Sequence, residues 1–213
     1  MKTEDLIKAV VADNTSVKPP ISRTLALSLV AGVLAAAGIF AATIGVRSDF
    51  WWSISNAPRF VFKFIFTLAI AIPAFLLVRR LARPDPPAGA ITWLLLLPAL
   101  LLSGAVLLEM SEVPREHWSI YAMGTNSIAC MTLIPLLSLA PLAAVLYALR
   151  QGAPANPALA GAIGGLLSAG IGATLYASHC ADDSPLFVSI WYPIGIALVV
   201  GAGAVVGSRL LKW

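Results

Sequence analysis

Two cysteines hold most of the chemistry open to this chain. Cys130 and Cys180, if bonded, would close a loop of about fifty residues, worth about 4 kcal/mol in the chain-entropy picture. Cys180 lies in the segment His179-Cys180-Ala181-Asp182-Asp183-Ser184, so two thiolates with His179 and Asp182 or Asp183 would also form a soft-plus-borderline donor set for a metal ion. No regular metal-ligand spacing supports that set. A structural disulfide, a pair that switches with redox state or metal, and two unpaired thiols packed as small apolar groups all stay open on the residues alone. No resident cofactor is expected, and a transient metal ion at the cysteines is the one exception that the donor types allow. Enzyme signatures are absent: there is no Cys-x-x-Cys, His-Glu-x-x-His, P-loop or nucleophile elbow, and only two histidines, His117 and His179. Catalysis is therefore not expected.

The second reactive surface is apolar and sits at the start, MKTEDLIKAVVADN. Thr3 suits a helix cap, Glu4 and Asp5 favour the positive end of the helix, and Asn14 suits its stop. At 100° per residue, Leu6, Ile7, Val10 and Val11 share one stripe about 140° wide, with Asp5 and Lys8 among the polar positions beside it. A helix of about a dozen residues is marginal alone, so the stripe needs a cover. A partner's groove, the chain's own loops and the lipid surface are the choices. Two lysines against three acids give weak attraction to anionic lipid, which favours the other two. Thr15 to Ser22, with Pro19-Pro20, then forms a tether that cannot continue the helix.

The elements that must position these two surfaces are membrane spans. Of 213 residues, 59% are hydrophobic and 11% charged, a composition foreign to a water-soluble globule. Six apolar runs are expected near Leu25 to Val46, Phe60 to Val78, Ile91 to Leu108, Ile128 to Leu149, Ala158 to Ala177 and Phe187 to Ser208. The expected fold is thus all-α, a six-helix integral membrane bundle over residues 24–213 with residues 1–23 as tail and tether. Ten of the 14 basic residues fall on the side of the termini, which puts both ends in the cytoplasm. With positive charge facing lipid headgroups, the net charge of +4 calls for membrane lipids as neighbours rather than for nucleic acid. Small faces, Gly161-Gly165-Ala169, Gly164-Ser168-Gly172 and Gly203-Gly207, predict close packing of the last two spans. Lys63 is expected to snorkel outward, and Glu109 and His179 to lie at the outer interface, so no ionisable group is assigned to the membrane core. That emptiness argues against a transporter.

Several stretches resemble one known family: the opening MKTEDLIKAVVADN, the run from Cys130 through IPLLSLAPLAAVLYALRQGAPANPALAGAIGG, the HCADDSPLFVSIWY segment and the basic, Trp-ending C-terminus. Together they look like NrsF, the negative regulator of sigma F, over the whole chain. The ending SRLLKW has lysine where arginine is expected in that family. The resemblance implies a six-span inner-membrane anti-sigma factor. Its partner would be an extracytoplasmic-function sigma factor, released on oxidative or heavy-metal stress such as chromate or cadmium. It implies that Cys130 and Cys180 sense the stress and that the tail residues Leu6, Ile7, Val10, Val11, Asp5 and Lys8 bind the sigma factor. Arg79, Arg80 and Arg83, in the loop Arg79 to Gly89, and the loop Arg150 to Asn156 are auxiliary candidates, topology control being their plainer role. A small-molecule or metal transporter and an inner-membrane thiol oxidoreductase are the rival readings.

Overall fold

The computed structural model describes residues 3–5, 8, 21–83 and 89–212, and among these no strand occurs. Among the described residues from Ile21 onward, eight α-helices follow one another: α1 (Ile21–Thr43), α2 (Phe50–Asn56), α3 (Pro58–Leu81), α4 (Leu96–Glu112), α5 (Trp118–Met123), α6 (Ser127–Arg150), α7 (Pro157–Ala177) and α8 (Pro185–Leu210). A 3-10 turn, Ala90–Leu95, leads into α4. Six helices, with that turn counted into α4, are long and apolar enough to cross a membrane, which matches the six expected runs. Proline sets several starts. Pro58, Pro157 and Pro185 occupy the first helical position, where the missing N–H costs no bond, so α3, α7 and α8 begin one or two residues before the apolar runs do. The short helices α2 and α5 were not anticipated, being six or seven residues long in aromatic connecting segments.

The glycine-rich α7 is the axis, packing most extensively against α8 and then against α6 and α3. A Cβ on Gly165 would stand 2.6 Å from the Val199 carbonyl oxygen, and one on Gly207 would stand 2.7 Å from Gly161 Cα. Backbone therefore lies on backbone, and the small faces are used within the bundle. Gly172 fits against Ser138 and Ile134 of α6 in the same way. Pro73, Pro135, Pro141 and Pro193 are carried inside α3, α6 and α8 without ending them. By contrast α1 and α4 lie at the edge and expose apolar side chains such as Leu34 (66%) and Leu100 (69%).

Because the six long helices alternate in direction, the bundle has two distinct ends. At one end Gly152 after α6 meets Ile21 of α1 and the Ala82 carbonyl after α3, while Gly207 of α8 meets Pro157 and Gly161 at the start of α7, and this is called the tail end below. At the other, the α7–α8 connection carries Cys180 and the first turn of α6 carries Cys130.

Candidate functional site

The loop from Ser178 to Ser184 is a hub at the thiol end. It is held at its C-terminal side because Ser184 caps α8: its Oγ accepts from Leu186 N at 3.2 Å, ahead of Pro185. The buried carboxylate of Glu109, from α4, accepts from Ser184 Oγ at 2.7 Å and from Leu186 N at 2.9 Å. One step back, Asp183 pairs with Lys63 of α3 and with Arg47, which follows α1. Asp182 turns the opposite way. Its Oδ2 accepts from the amides of Thr125 and Asn126 at 3.0 and 2.8 Å and from Asn126 Nδ2 at 2.8 Å, satisfying orphan donors at the start of α6. Gly124, at φ +56°, permits that approach, since a Cβ there would meet the Phe187 ring and stand 2.9 Å from Asp182 Cγ.

The Cys180 carbonyl carries two cations. Lys63 Nζ donates to it at 2.7 Å and Arg47 Nη1 at 3.3 Å. Arg47 also forks onto Asp49 through Nε and Nη2 at 2.6 and 2.7 Å. That fork, with Asp183, raises the guanidinium pKa above its already high value, while Arg47 holds the Asp49 carboxyl down at about 2. The backbone adds to the grip: Arg47 N donates to Ser178 O at 3.1 Å, and His179 Nδ1 lies 3.0 Å from Gly45 O.

Beneath this charge layer lie the thiols. Cys130 and Cys180 are both free and fully buried in one hydrophobic core. Tyr176 links them: its carbonyl accepts from Cys180 N at 3.0 Å, and its hydroxyl donates at 3.3 Å to Asn126 O, the same oxygen that accepts from Cys130 N. Tyr192 packs beside Tyr176 with ring centroids 6.0 Å apart, and its buried hydroxyl has no hydrogen-bond partner among the described residues. Burial pushes the Cys180 thiol up from its ordinary pKa, with the nearby Lys63 charge opposing only in part. At neutral pH it is a shielded thiol rather than a thiolate, so in this arrangement it is a poor nucleophile and metal ligand.

The structure thus places Cys130 and Cys180 in the same buried core cluster, both as free thiols. It does not assemble His179, Asp182 and Asp183 around them: His179 is turned to Gly45, Asp182 to the start of α6 and Asp183 to Lys63 and Arg47. Among the described residues no three His, Cys, Asp or Glu side chains converge as metal ligands. Lys63 corrects a second expectation. It does not snorkel outward but is 0% exposed, drawn inward by Asp183 and the Cys180 carbonyl. Glu109 is likewise buried, with Arg59 Nη1 at 3.4 Å from its Oε1. In the tail, Asp5 and Lys8 are helical and exposed, whereas Leu6, Ile7, Val10 and Val11 lie outside the described residues. Arg47, Tyr176, Tyr192 and Asn126 were not singled out from sequence. The available signal was arithmetic: adjacent acids at 182 and 183 need partners, and Arg47 is one of few cations on that side.

These features define an all-helical protein with six helices long and apolar enough to cross a membrane, whose buried charged side chains are gathered at one end around a thiol pair. The chain belongs to the NrsF family, described as the negative regulator of sigma F, which matches residues 10–213. A protein of Azospira oryzae named "Probable anti-sigma-F factor NrsF" is 31% identical over 215 residues, covering 100% of both chains. One of Caulobacter vibrioides named "Anti-sigma-F factor NrsF" is 32% identical over 224 residues, again covering 100% of both. No solved structure matches.

Proposed function

We propose that this chain is an anti-sigma factor of the bacterial inner membrane, which holds an extracytoplasmic-function sigma factor at the tail end and releases it when the thiol end responds to oxidant or heavy metal. The observation that carries this is end-to-end similarity to two proteins named as anti-sigma-F factors. The belt of exposed Leu27, Leu34, Leu100, Leu107 and Leu108 supports a lipid-embedded bundle, because so much contiguous apolar surface is unsustainable in water. Exposed Arg79, Arg83, Arg150 and Arg209 at the tail end support a cytoplasmic location for both termini.

In this mechanism the stripe Leu6, Ile7, Val10 and Val11, flanked by Asp5 and Lys8, occupies a groove of the sigma factor and keeps it from RNA polymerase. Reaction at Cys130 and Cys180 reshapes the thiol end. Weakening sigma binding a hundredfold requires the two states to differ by about 2.7 kcal/mol, a modest demand on a disulfide or bound metal. Because both thiols are buried, the loop must open before it reacts, which keeps the resting protein silent.

Co-purification tests the proposal. The full chain in detergent should capture an extracytoplasmic-function sigma factor of the same cell, and the chain lacking residues 1–22 should not. Equal capture by both removes the tail from the mechanism, and capture by neither removes the anti-sigma assignment.

A further inference from the structure

We infer that α1 is the rod connecting the thiol loop to the tail, and that Arg47 is the positioning residue that couples them. The inference rests on the anti-sigma reading for what the tail does, but the coupling itself stands on geometry. The tail joins α1 at Ile21, and α1 runs unbroken to Thr43 without an internal proline, about 34 Å at 1.5 Å per residue. Immediately beyond its end, at Gly45 (φ +63°), the chain turns onto the hub. Three independent attachments then bind residues 45–47 to the loop: Gly45 O with His179 Nδ1, Arg47 N with Ser178 O, and the Arg47 guanidinium with Asp183 and the Cys180 carbonyl. The Cys180 carbonyl is therefore hydrogen-bonded to Arg47, four residues beyond the end of the tail-bearing helix.

Elsewhere α1 is held chiefly by one neighbouring helix. Its packing is almost entirely against α6, with slight contact to α7, whereas the other partner of the Cys180 carbonyl, Lys63, belongs to α3, which packs on the central α7. The two cations thus divide the work: Lys63 fixes the loop to the core, and Arg47 fixes α1 to the loop. Along α6, Gly32 sits so close that a Cβ would stand 2.8 Å from Ala144 Cβ, so the two helices meet through small residues there. At the tail end the Ile21 side chain rests against Gly152, so a shift of α1 is felt where the tail leaves the bundle. The clamped arrangement, with both thiols free, is the sigma-holding state. Displacement of the Cys180 peptide breaks the Arg47 contacts and lets α1 go.

The test uses the full chain in cells carrying a reporter of the sigma factor. Arg47→Ala should raise unstressed output about tenfold at normal protein abundance, with little further induction by cadmium or diamide. Arg47→Lys, which keeps the charge but cannot fork onto Asp49 while reaching Asp183, and Asp49→Asn, which removes the outer support, should fall between. A second readout reports the clamp without relying on sigma. In Cys130→Ser proteins, labelling of Cys180 by a membrane-impermeant maleimide should quicken about tenfold on adding Arg47→Ala, equivalent to about 1.4 kcal/mol, while thermal unfolding in detergent is little changed. Wild-type basal output in Arg47→Ala, where deleting the whole gene raises the reporter, overturns the coupling. Unchanged labelling overturns the clamp. A reporter that ignores gene deletion instead condemns the anti-sigma reading and leaves the labelling test standing.

Discussion

At the thiol end, Lys63, Arg47, Glu109, Asp182 and Asp183 each meet a specific partner, and all five reach a helix or loop remote in sequence to do so. At the tail end the closure is made by backbone: Ala153 N donates to Ala82 O at 3.3 Å, and Gly152 lies against that same carbonyl. The arginines there, Arg79, Arg83 and Arg150, are exposed and belong to no ion pair among the described residues. One end is thus a fixed polar lock, and the other presents free charge around a tight core. A lock suits conversion of a local chemical change into displacement, because buried polar contacts are lost together. Free charge suits capture of a partner, because no internal pair must be broken first.

Substitutions sharpen that contrast, beginning with the largest effects. Lys63→Met should destabilise the protein by about 3 kcal/mol or more, since it strips Asp183 and the Cys180 carbonyl of a fully buried partner; thermal unfolding in detergent measures it, and a change below about 1 kcal/mol would break the idea of a lock. Gly165→Leu should cost about 2 kcal/mol or more by prising α7 from α8, read as loss of monodisperse protein on gel filtration. Asp182→Asn should cost about 1 kcal/mol by weakening the cap on α6, and should speed maleimide labelling of Cys130. At the tail end, Arg79→Ala with Arg83→Ala should leave stability within about 0.5 kcal/mol yet reduce sigma capture several-fold, as a pull-down titration would report. A stability loss there matching that of Asp182→Asn would erase the distinction between the ends.

Much of the fold was legible because six stretches near twenty residues are apolar, and a bilayer admits few other solutions than helices. The Gly161 and Gly203 faces were legible for the same kind of reason, since small residues four apart serve close approach and little else. The site was read only in part. Lys63 near a helix end can snorkel or turn inward, and the decision is made by the Cys180 carbonyl, 117 positions away, together with Asp183, with no local trace. His179, Asp182 and Asp183 are neighbours in sequence, but an irregular loop aims successive side chains at different elements, so adjacency did not become convergence. Arg47 followed by Asp49 hinted at a local pair and was silent about the loop it joins.

The most direct measurement is the affinity of the purified sigma factor for the full chain in lipid nanodiscs, before and after treatment with diamide or cadmium. Dissociation constants should rise about a hundredfold for the native chain and stay unchanged for Cys130→Ser with Cys180→Ser. An affinity that is equally strong before and after treatment of the native chain, with Cys180 shown to have reacted, would contradict control of the tail by the thiol end.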